Sequence, residues 1–344
     1  MPAVSAEEAR GLLRDLVERP SPSGEEDAAA DRLVGFLEAR GREAWTDAVG
    51  NVRAPGDDAV LLTSHVDTVP GDIPVRVEDG ELWGRGSVDA KGPLAAMAAA
   101  AVETGAAFAG VVGEEDDSRG ARHLVEDRDP PAAVVNGEPS GWDGVTLGYR
   151  GLLSGTYLAT SESGHASRPT NNAIEDALDW WARVGAAFDG DEWAPVFEQV
   201  TAKPVAVAGG PSDDGLSVEA SMDVQFRVPP DRSVEAVREV ADGALEAGTV
   251  RWTDRIPPVM QRRRTAPARR FRAAIRAQGG EPRLLRKTGT SDMNLYASAW
   301  DRPMVTYGPG DSALDHTPTE RLSLAEFDRS IAVLTDVCEA LIDA

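Results

Sequence analysis

Lysine is nearly missing from this chain of 344 residues: it stands only at positions 91, 203 and 287, and arginine supplies almost all of the 35 basic residues. Against 58 acids they leave a formal net charge of −23. Nucleic acid and an anionic membrane are thereby excluded as expected partners, because both repel a polyanion. Dense acidity with an arginine bias fits a halophile, whose molar salt screens charge repulsion beyond about 3 Å. Cysteine occurs once, as Cys338 in an apolar C-terminal helical pattern, so no intrachain disulfide forms and a reducing, cytoplasmic compartment is expected. Long apolar runs are missing too, and a start that is acidic from Glu7 onward does not resemble a signal peptide. Histidine is scarce, at 65, 123, 165 and 316. Three of the four sit in Gly/Pro-rich turns, whereas His123 lies on a helical pattern and reads as an ordinary surface residue.

What is present is organised around Ser64-His65-Val66-Asp67-Thr68-Val69-Pro70, directly after the apolar run Ala59–Thr63. Such a run, closed by Pro70-Gly71, predicts a strand buried on both faces of a parallel sheet. His65 and Asp67 then stand at its carboxyl end, where open α/β sheets place their ligand sites. Strand side chains repeat every second residue, so the two point the same way. The carboxylate can fix the imidazole's tautomer while the other ring nitrogen binds a metal.

Two further apolar runs, Phe108–Val112 and Ala132–Val135, lead into Gly113-Glu114-Glu115-Asp116 and Asn136-Gly137-Glu138-Pro139-Ser140. In a parallel sheet these ends share one edge, so their carboxylates repel unless a cation sits among them. Taken alone, Glu114-Glu115 reads more simply as a solvated acidic loop. Asp89 lies in the Gly-rich stretch Gly84–Pro93, ahead of a helix over Leu94–Thr104, where it serves either a site or the helix N-terminus. The cap itself is expected nearer Gly92. Residues 73–84 predict a hairpin turning at Asp79-Gly80.

The fold expected is α/β: a mostly parallel-sheet catalytic domain over residues 1–152 plus 261–344, with an inserted α+β domain over residues 153–260. The insert carries Glu162-Ser163-Gly164-His165-Ala166-Ser167-Arg168-Pro169, two helices and alternating strands, one of them weak near Ala202–Ala208. The run Arg262-Arg263-Arg264 at the return point reads as a surface ion-pair cluster rather than a binding patch.

His65, Asp89, Glu114-Glu115, Glu138 and His316 together supply two imidazoles and several carboxylates, a donor set that suits a pair of zinc ions. Two such ions about 3.5–4 Å apart can hold a hydroxide and polarise a carbonyl. Glu114 and Glu115 cannot both be ligands of equal geometry, so one is the better general base. In content and order these motifs resemble the di-zinc amidohydrolase family of acetylornithine deacetylase, succinyl-diaminopimelate desuccinylase and carboxypeptidase G, over essentially the whole chain.

The resemblance implies that His65, Asp89 and Glu138 hold one zinc and that Asp89, Glu115 and His316 hold the other, cobalt or manganese being possible substitutes. It implies Glu114 as base, Asp67 as partner of His65, and a homodimer in which His165 donates to the developing oxyanion. Residues 65–76, 88–95 and 287–294 look most like the branch that releases lysine or ornithine from the amino-group carrier protein LysW in lysine and arginine biosynthesis. Substrate-binding candidates are Thr290 and Ser291, with Arg168 beside His165; Arg150 is a weaker one. Two other readings compete: a deacylase or dipeptidase acting on a small N-acyl amino acid, and a zinc-binding scaffold without turnover. The second gives Glu114 no purpose.

Overall fold

A computed structural model describes residues 4–165, 167, 169–190 and 193–344. The chain forms two compact units: Met1–Leu147 with Gln261–Leu285 and Ser291–Ala344, and Gly148–Met260 with Arg286–Thr290.

In the first unit the sheet runs, in spatial order, Trp45–Thr46, Val52–Ala54, Ala106–Val111, Asp57–His65, Val134–Gly137, Met304–Thr306 and Gly144–Tyr149. Its four middle strands are parallel, with His65 opposite Val111, Ser64 opposite Gly137 and Thr306 opposite Asn136. Their carboxyl ends therefore lie along one rim. Val60 to His65 are buried without alternation, as a strand covered on both faces must be.

The helices Ala6–Val17, Asp27–Glu38, Lys91–Thr104 and Leu324–Ile342 share a single core with this sheet. The alanine-rich helix is buried from Lys91 through Val102, and its small side chains let the neighbouring elements approach closely. The Lys91 ammonium, buried as well, donates to the carbonyls of Leu16 at 3.0 Å and Arg19 at 2.7 Å. Burial pulls it down to about 7.

That helix starts earlier than its sequence suggests: Ala90 occupies the N-cap position and no side chain caps it, so Asp89 is not a helix cap. The Lys91 N–H bonds instead to the Gly86 carbonyl at 2.8 Å, which draws the turn tight. Gly86 has a φ of 81°, and a Cβ there would stand 2.6 Å from the Thr68 side chain, so only glycine fits. The expected hairpin forms from Arg76–Glu78 and Glu81–Trp83, with Asp79 and Gly80 both left-handed, as a two-residue hairpin turn requires. A third strand, Arg321–Ser323, adds to it.

The second unit is an antiparallel sheet in the order Thr201–Pro211, Ser217–Val228, Gly151–Glu162, Thr249–Ile256. The helices Ala173–Ala187 and Val234–Gly243 share its core, where Tyr157 stacks on Trp180 at 4.8 Å. The segment that reads weakly near Ala202–Ala208 is an edge strand of 11 residues. Pro204 and the glycines at 209 and 210 hide its pattern, and an edge position tolerates them. Among the described residues no helix is long and apolar enough to cross a membrane.

Candidate metal centre

Four of the expected ligands meet at the rim of the first unit. His65 ends its strand, Glu115 follows the neighbouring strand, and Asp89 and His316 arrive on loops. His65 Nε2 stands 3.2 Å from Asp89 Oδ1, and His316 Nε2 stands 3.2 Å from Asp89 Oδ2 and 3.1 Å from Glu115 Oε1. One donor atom each from His65, Asp89 and Glu115 lies within 4.8 Å of the others. Donors bound tetrahedrally at zinc distances are separated by roughly 3.3 Å, so this spacing fits a metal. Asp89 presents one oxygen to each imidazole, the disposition of a carboxylate shared by two ions.

Asp67 is fully buried and holds the neighbouring acids in place. Its carboxylate accepts the N–H groups of Glu114 at 3.1 Å and Glu115 at 3.0 Å, and the Ser23 hydroxyl at 2.7 Å. His65 Nδ1 stands 3.0 Å from the Asp67 carbonyl and 3.6 Å from its carboxylate. The carbonyl is thus the nearer acceptor for the ring, and a carbonyl orients a metal-binding histidine as a carboxylate does. Burial alone would raise the Asp67 carboxyl, but His65, Ser23 and the Glu115 N–H outweigh it and leave the group at about 2.

Glu320 does the corresponding work for Asp89, and nothing in the sequence pattern singles it out. It is fully buried. One carboxylate oxygen accepts the N–H groups of Val88 at 2.9 Å and Asp89 at 3.1 Å, and the other pairs with Arg85 at 2.7 Å. Since Glu320 follows His316 by four residues, one side chain ties the His316 loop to the Asp89 loop.

The electrostatics are those of a cation site. Asp89 is held far below the ordinary carboxylate range: burial opposes this, but its bonds to His316 and His65 prevail. His316 is raised to about 9, chiefly by Asp89 with Glu115 adding. Burial depresses His65, yet Asp67, Asp89, Glu138 and Glu114 together carry it well above its usual value. Glu114 is pushed well up by burial and by Glu138. Both glutamates belong to the group by charge, and Glu138 is nearly buried where the next strand ends. Asp292, which the sequence reading missed, is buried close enough to Glu114 to act on it; among the described residues its Oδ1 has no hydrogen-bond partner, and burial lifts it to about 7.

The remaining candidates are placed differently. Ser291 caps the helix Asp292–Ala299 and accepts the Met293 N–H at 3.3 Å. In the second unit, the Thr290 hydroxyl accepts from Arg227 Nη1 at 3.2 Å; Arg227 is the last residue but one of the strand Ser217–Val228, between Phe226 and Val228, where no motif marks it. Arg150 is buried, donating to the Thr288 and Val196 carbonyls at 2.9 and 3.1 Å, so it braces the backbone. His165 is exposed, and its Nδ1 accepts the Ser167 N–H at 3.2 Å. Arg168 lies outside the described residues. His123 sits half-buried, 3.8 Å from Asp47.

Fold and site together define a metal-dependent hydrolase of amide bonds. Residues 61–340 match peptidase family M20/M25/M40, and the chain belongs to that family. It is 40% identical to the LysW-lysine hydrolase of Deinococcus radiodurans, over 99% of each chain. With the LysW-lysine/LysW-ornithine hydrolase of Sulfurisphaera tokodaii it shares 30% identity, over 98% of this chain and 97% of the other. Its fold superposes on aminopeptidase PepT from Bacillus cereus with a TM-score of 0.81 at 20% identity, covering 98% and 99% of the two chains. The M20 metallo-carboxypeptidase Sso-CP2 from Sulfolobus solfataricus gives 0.81 at 17% identity, covering 98% and 100%.

Proposed function

We propose that the protein hydrolyses the amide joining the α-amino group of lysine or ornithine to the terminal γ-glutamyl carboxylate of the carrier protein LysW, releasing the free amino acid in lysine and arginine biosynthesis. The observation that carries this reading is the end-to-end 40% identity with a LysW-lysine hydrolase in a chain whose ligand atoms are spaced for metal. His65, Asp89 and Glu138 would hold one divalent ion, and Asp89, Glu115 and His316 a second, with zinc the best match to the donors and cobalt acceptable. Bound there, the ions supply a water of lowered pKa and a polarised carbonyl.

Glu114 is the base. It takes a proton as the water oxygen bonds to the carbonyl carbon, then delivers it to the nitrogen as the C–N bond breaks. Its burial favours a carboxyl able to hold that proton. Asp67 positions Glu114 through the two backbone N–H bonds. In His165, the Ser167 N–H occupies Nδ1, so the neutral ring carries its proton on Nε2 and can donate to the oxyanion. Thr290, oriented by Arg227, with Ser291 and Arg168, would grip the substrate's carboxylate. A homodimer is supported by the exposed edge strand Thr201–Pro211, with Val205 and Val207 facing out, since such an edge invites pairing. The acidic surface supports a halophilic, cytoplasmic setting.

The deciding experiment gives purified enzyme LysW-lysine, LysW-ornithine, acetylornithine and succinyl-diaminopimelate side by side, with products identified by mass spectrometry. Release of lysine or ornithine from the carrier conjugates, at a kcat/KM far above that for the small acyl amino acids, is expected. Preference for a small acyl substrate would replace this reading with that of a deacylase.

A further inference from the structure

Asn51 is wholly buried and stands one residue before the strand Val52–Ala54, whose pairing with Ala106–Val111 begins at Val52 opposite Gly110. Its side chain reaches past that ladder to the loop that carries Glu114 and Glu115. Oδ1 accepts the Val112 N–H at 3.1 Å, and Nδ2 donates to the Gly120 carbonyl at 3.0 Å and to Asp47 Oδ2 at 3.1 Å. Both donors of the amide are used, and the partners fix its orientation, since a flipped amide would set oxygen against oxygen.

Val112 and Gly120 are the two ends of the loop. They also meet directly, the Gly120 N–H donating to the Val112 carbonyl at 3.0 Å. Residues 113–119 are thereby closed into a ring, with the Asn51 amide as a second bar across its neck. Inside it the Asp117 and Ser118 N–H groups donate to the Gly113 carbonyl at 3.1 and 2.6 Å. A Cβ on Gly120 would stand 2.3 Å from Asn51 Oδ1 and 2.5 Å from the Val112 nitrogen, so the neck closes only on glycine. Asp47 supports the amide from behind, accepting the Asn51 backbone N–H at 3.0 Å and Arg53 Nη1 at 3.1 Å.

We propose that Asn51 is a positioning residue for the hydrolysis: by closing the neck it holds the base Glu114 and the ligand Glu115 at the metal centre, an inference that rests on the roles given to them under Proposed function. Carboxylates gathered at one rim repel each other until a cation neutralises them, and a displacement of about 1 Å at a catalytic group can cost about 100-fold in rate. Asp67 bonds to two adjacent N–H groups, of Glu114 and Glu115, which locates the acids but leaves the ends of their loop to be held elsewhere. The neighbouring strands are already joined by their own ladder, so strand pairing does not account for this side chain.

The test compares the full-length wild type with Asn51→Ala, which drops both bars of the amide, Asn51→Asp, which sets an oxygen against the Gly120 carbonyl, and Asp47→Asn, which keeps the neck contacts and weakens their support. Below the melting transition of each protein, kcat for LysW-lysine should fall about 10–100-fold in the Asn51 variants with KM unchanged, and less in Asp47→Asn. The visible absorption of the cobalt(II) form should change in the same order. In metal-free protein, hydrogen exchange read by mass spectrometry should quicken in peptides covering residues 112–120 and not in the helix Leu324–Ile342. A lowered melting temperature with unchanged kcat and cobalt spectrum, or exchange that quickens evenly along the chain, would reduce Asn51 to packing and overturn the inference. If the Asn51 variants do not fold, the cobalt spectrum and exchange of Asp47→Asn decide, unchanged readings counting against it. A wild type that leaves LysW-lysine intact would remove the function reading separately, and the cobalt and exchange measurements would still decide the role of Asn51.

Discussion

The rim of the first unit and the loops and edge of the second treat their functional groups in opposite ways. At the rim, His65, Asp67 and Glu320 are buried at 1%, 0% and 0% exposure, and each is held by at least two bonds of about 3 Å. In the second unit, His165 is exposed and, among the described residues, is bonded through Ser167 alone, and the strand Thr201–Pro211 pairs along one edge with the described strands and leaves the other open. The contrast teaches that the metal-binding chemistry is pre-organised within one unit, because buried carboxylates of like charge must be placed before a cation can hold them. The groups proposed for recognition would wait for substrate or a partner to complete their surroundings.

The comparison can be broken most forcefully at Glu114. Replacing it by Gln removes the proton acceptor and leaves the ligands, so kcat should fall by about 10²–10⁴ with metal content unchanged, measured by steady-state kinetics beside elemental analysis. Undiminished turnover would remove Glu114 as base. In the looser region, His165→Ala should lower kcat by about 10²–10³ while metal affinity stays constant. Metal loss in that variant would erase the distinction between the regions.

Glu320→Gln sharpens the contrast from the other side. An amide can still accept N–H bonds from Val88 and Asp89 but loses the ion pair with Arg85. Cobalt affinity should drop about 10–100-fold with a changed visible absorption spectrum, and unchanged affinity and spectrum would reduce Glu320 to a packing role. The smallest effect is on protons. With His316 raised to about 9 in the metal-free protein, the ring stays protonated well above its ordinary value, and a binding metal must displace that proton. Metal affinity should therefore keep climbing with pH until about 9, and zinc binding near neutral pH should release protons, as calorimetry in buffers of different ionisation enthalpy would detect.

Much of this was legible because the chemistry sits where strands end. The unbroken apolar runs before His65, Glu114 and Glu138 announced parallel strands, and parallel strands put their ends on one edge. Other parts were hidden for physical reasons. The strand Gly144–Tyr149 has glycine at both its first and fifth positions, which leaves it little strand pattern of its own until its neighbours supply the ladder. Glu320 gains its meaning from N–H groups at positions 88 and 89, and Arg227 from a hydroxyl at 290; no local periodicity encodes such partners. Arg262–Arg264 reads as an ion-pair cluster in the sequence, but a run of charges does not set distances, and among the described residues no carboxylate forms an ion pair with any of the three. Asp292 was masked by its motif, since an acid in a helix's first turn is ordinarily explained by the helix dipole.

The most direct test is the metal content of active enzyme prepared without added chelator. Elemental analysis should find two divalent ions per chain in the wild type and a loss of metal from Asp89→Ala, whose carboxylate lies between both imidazoles. An active enzyme containing no divalent metal, or an Asp89→Ala variant that keeps its full complement, would contradict the account.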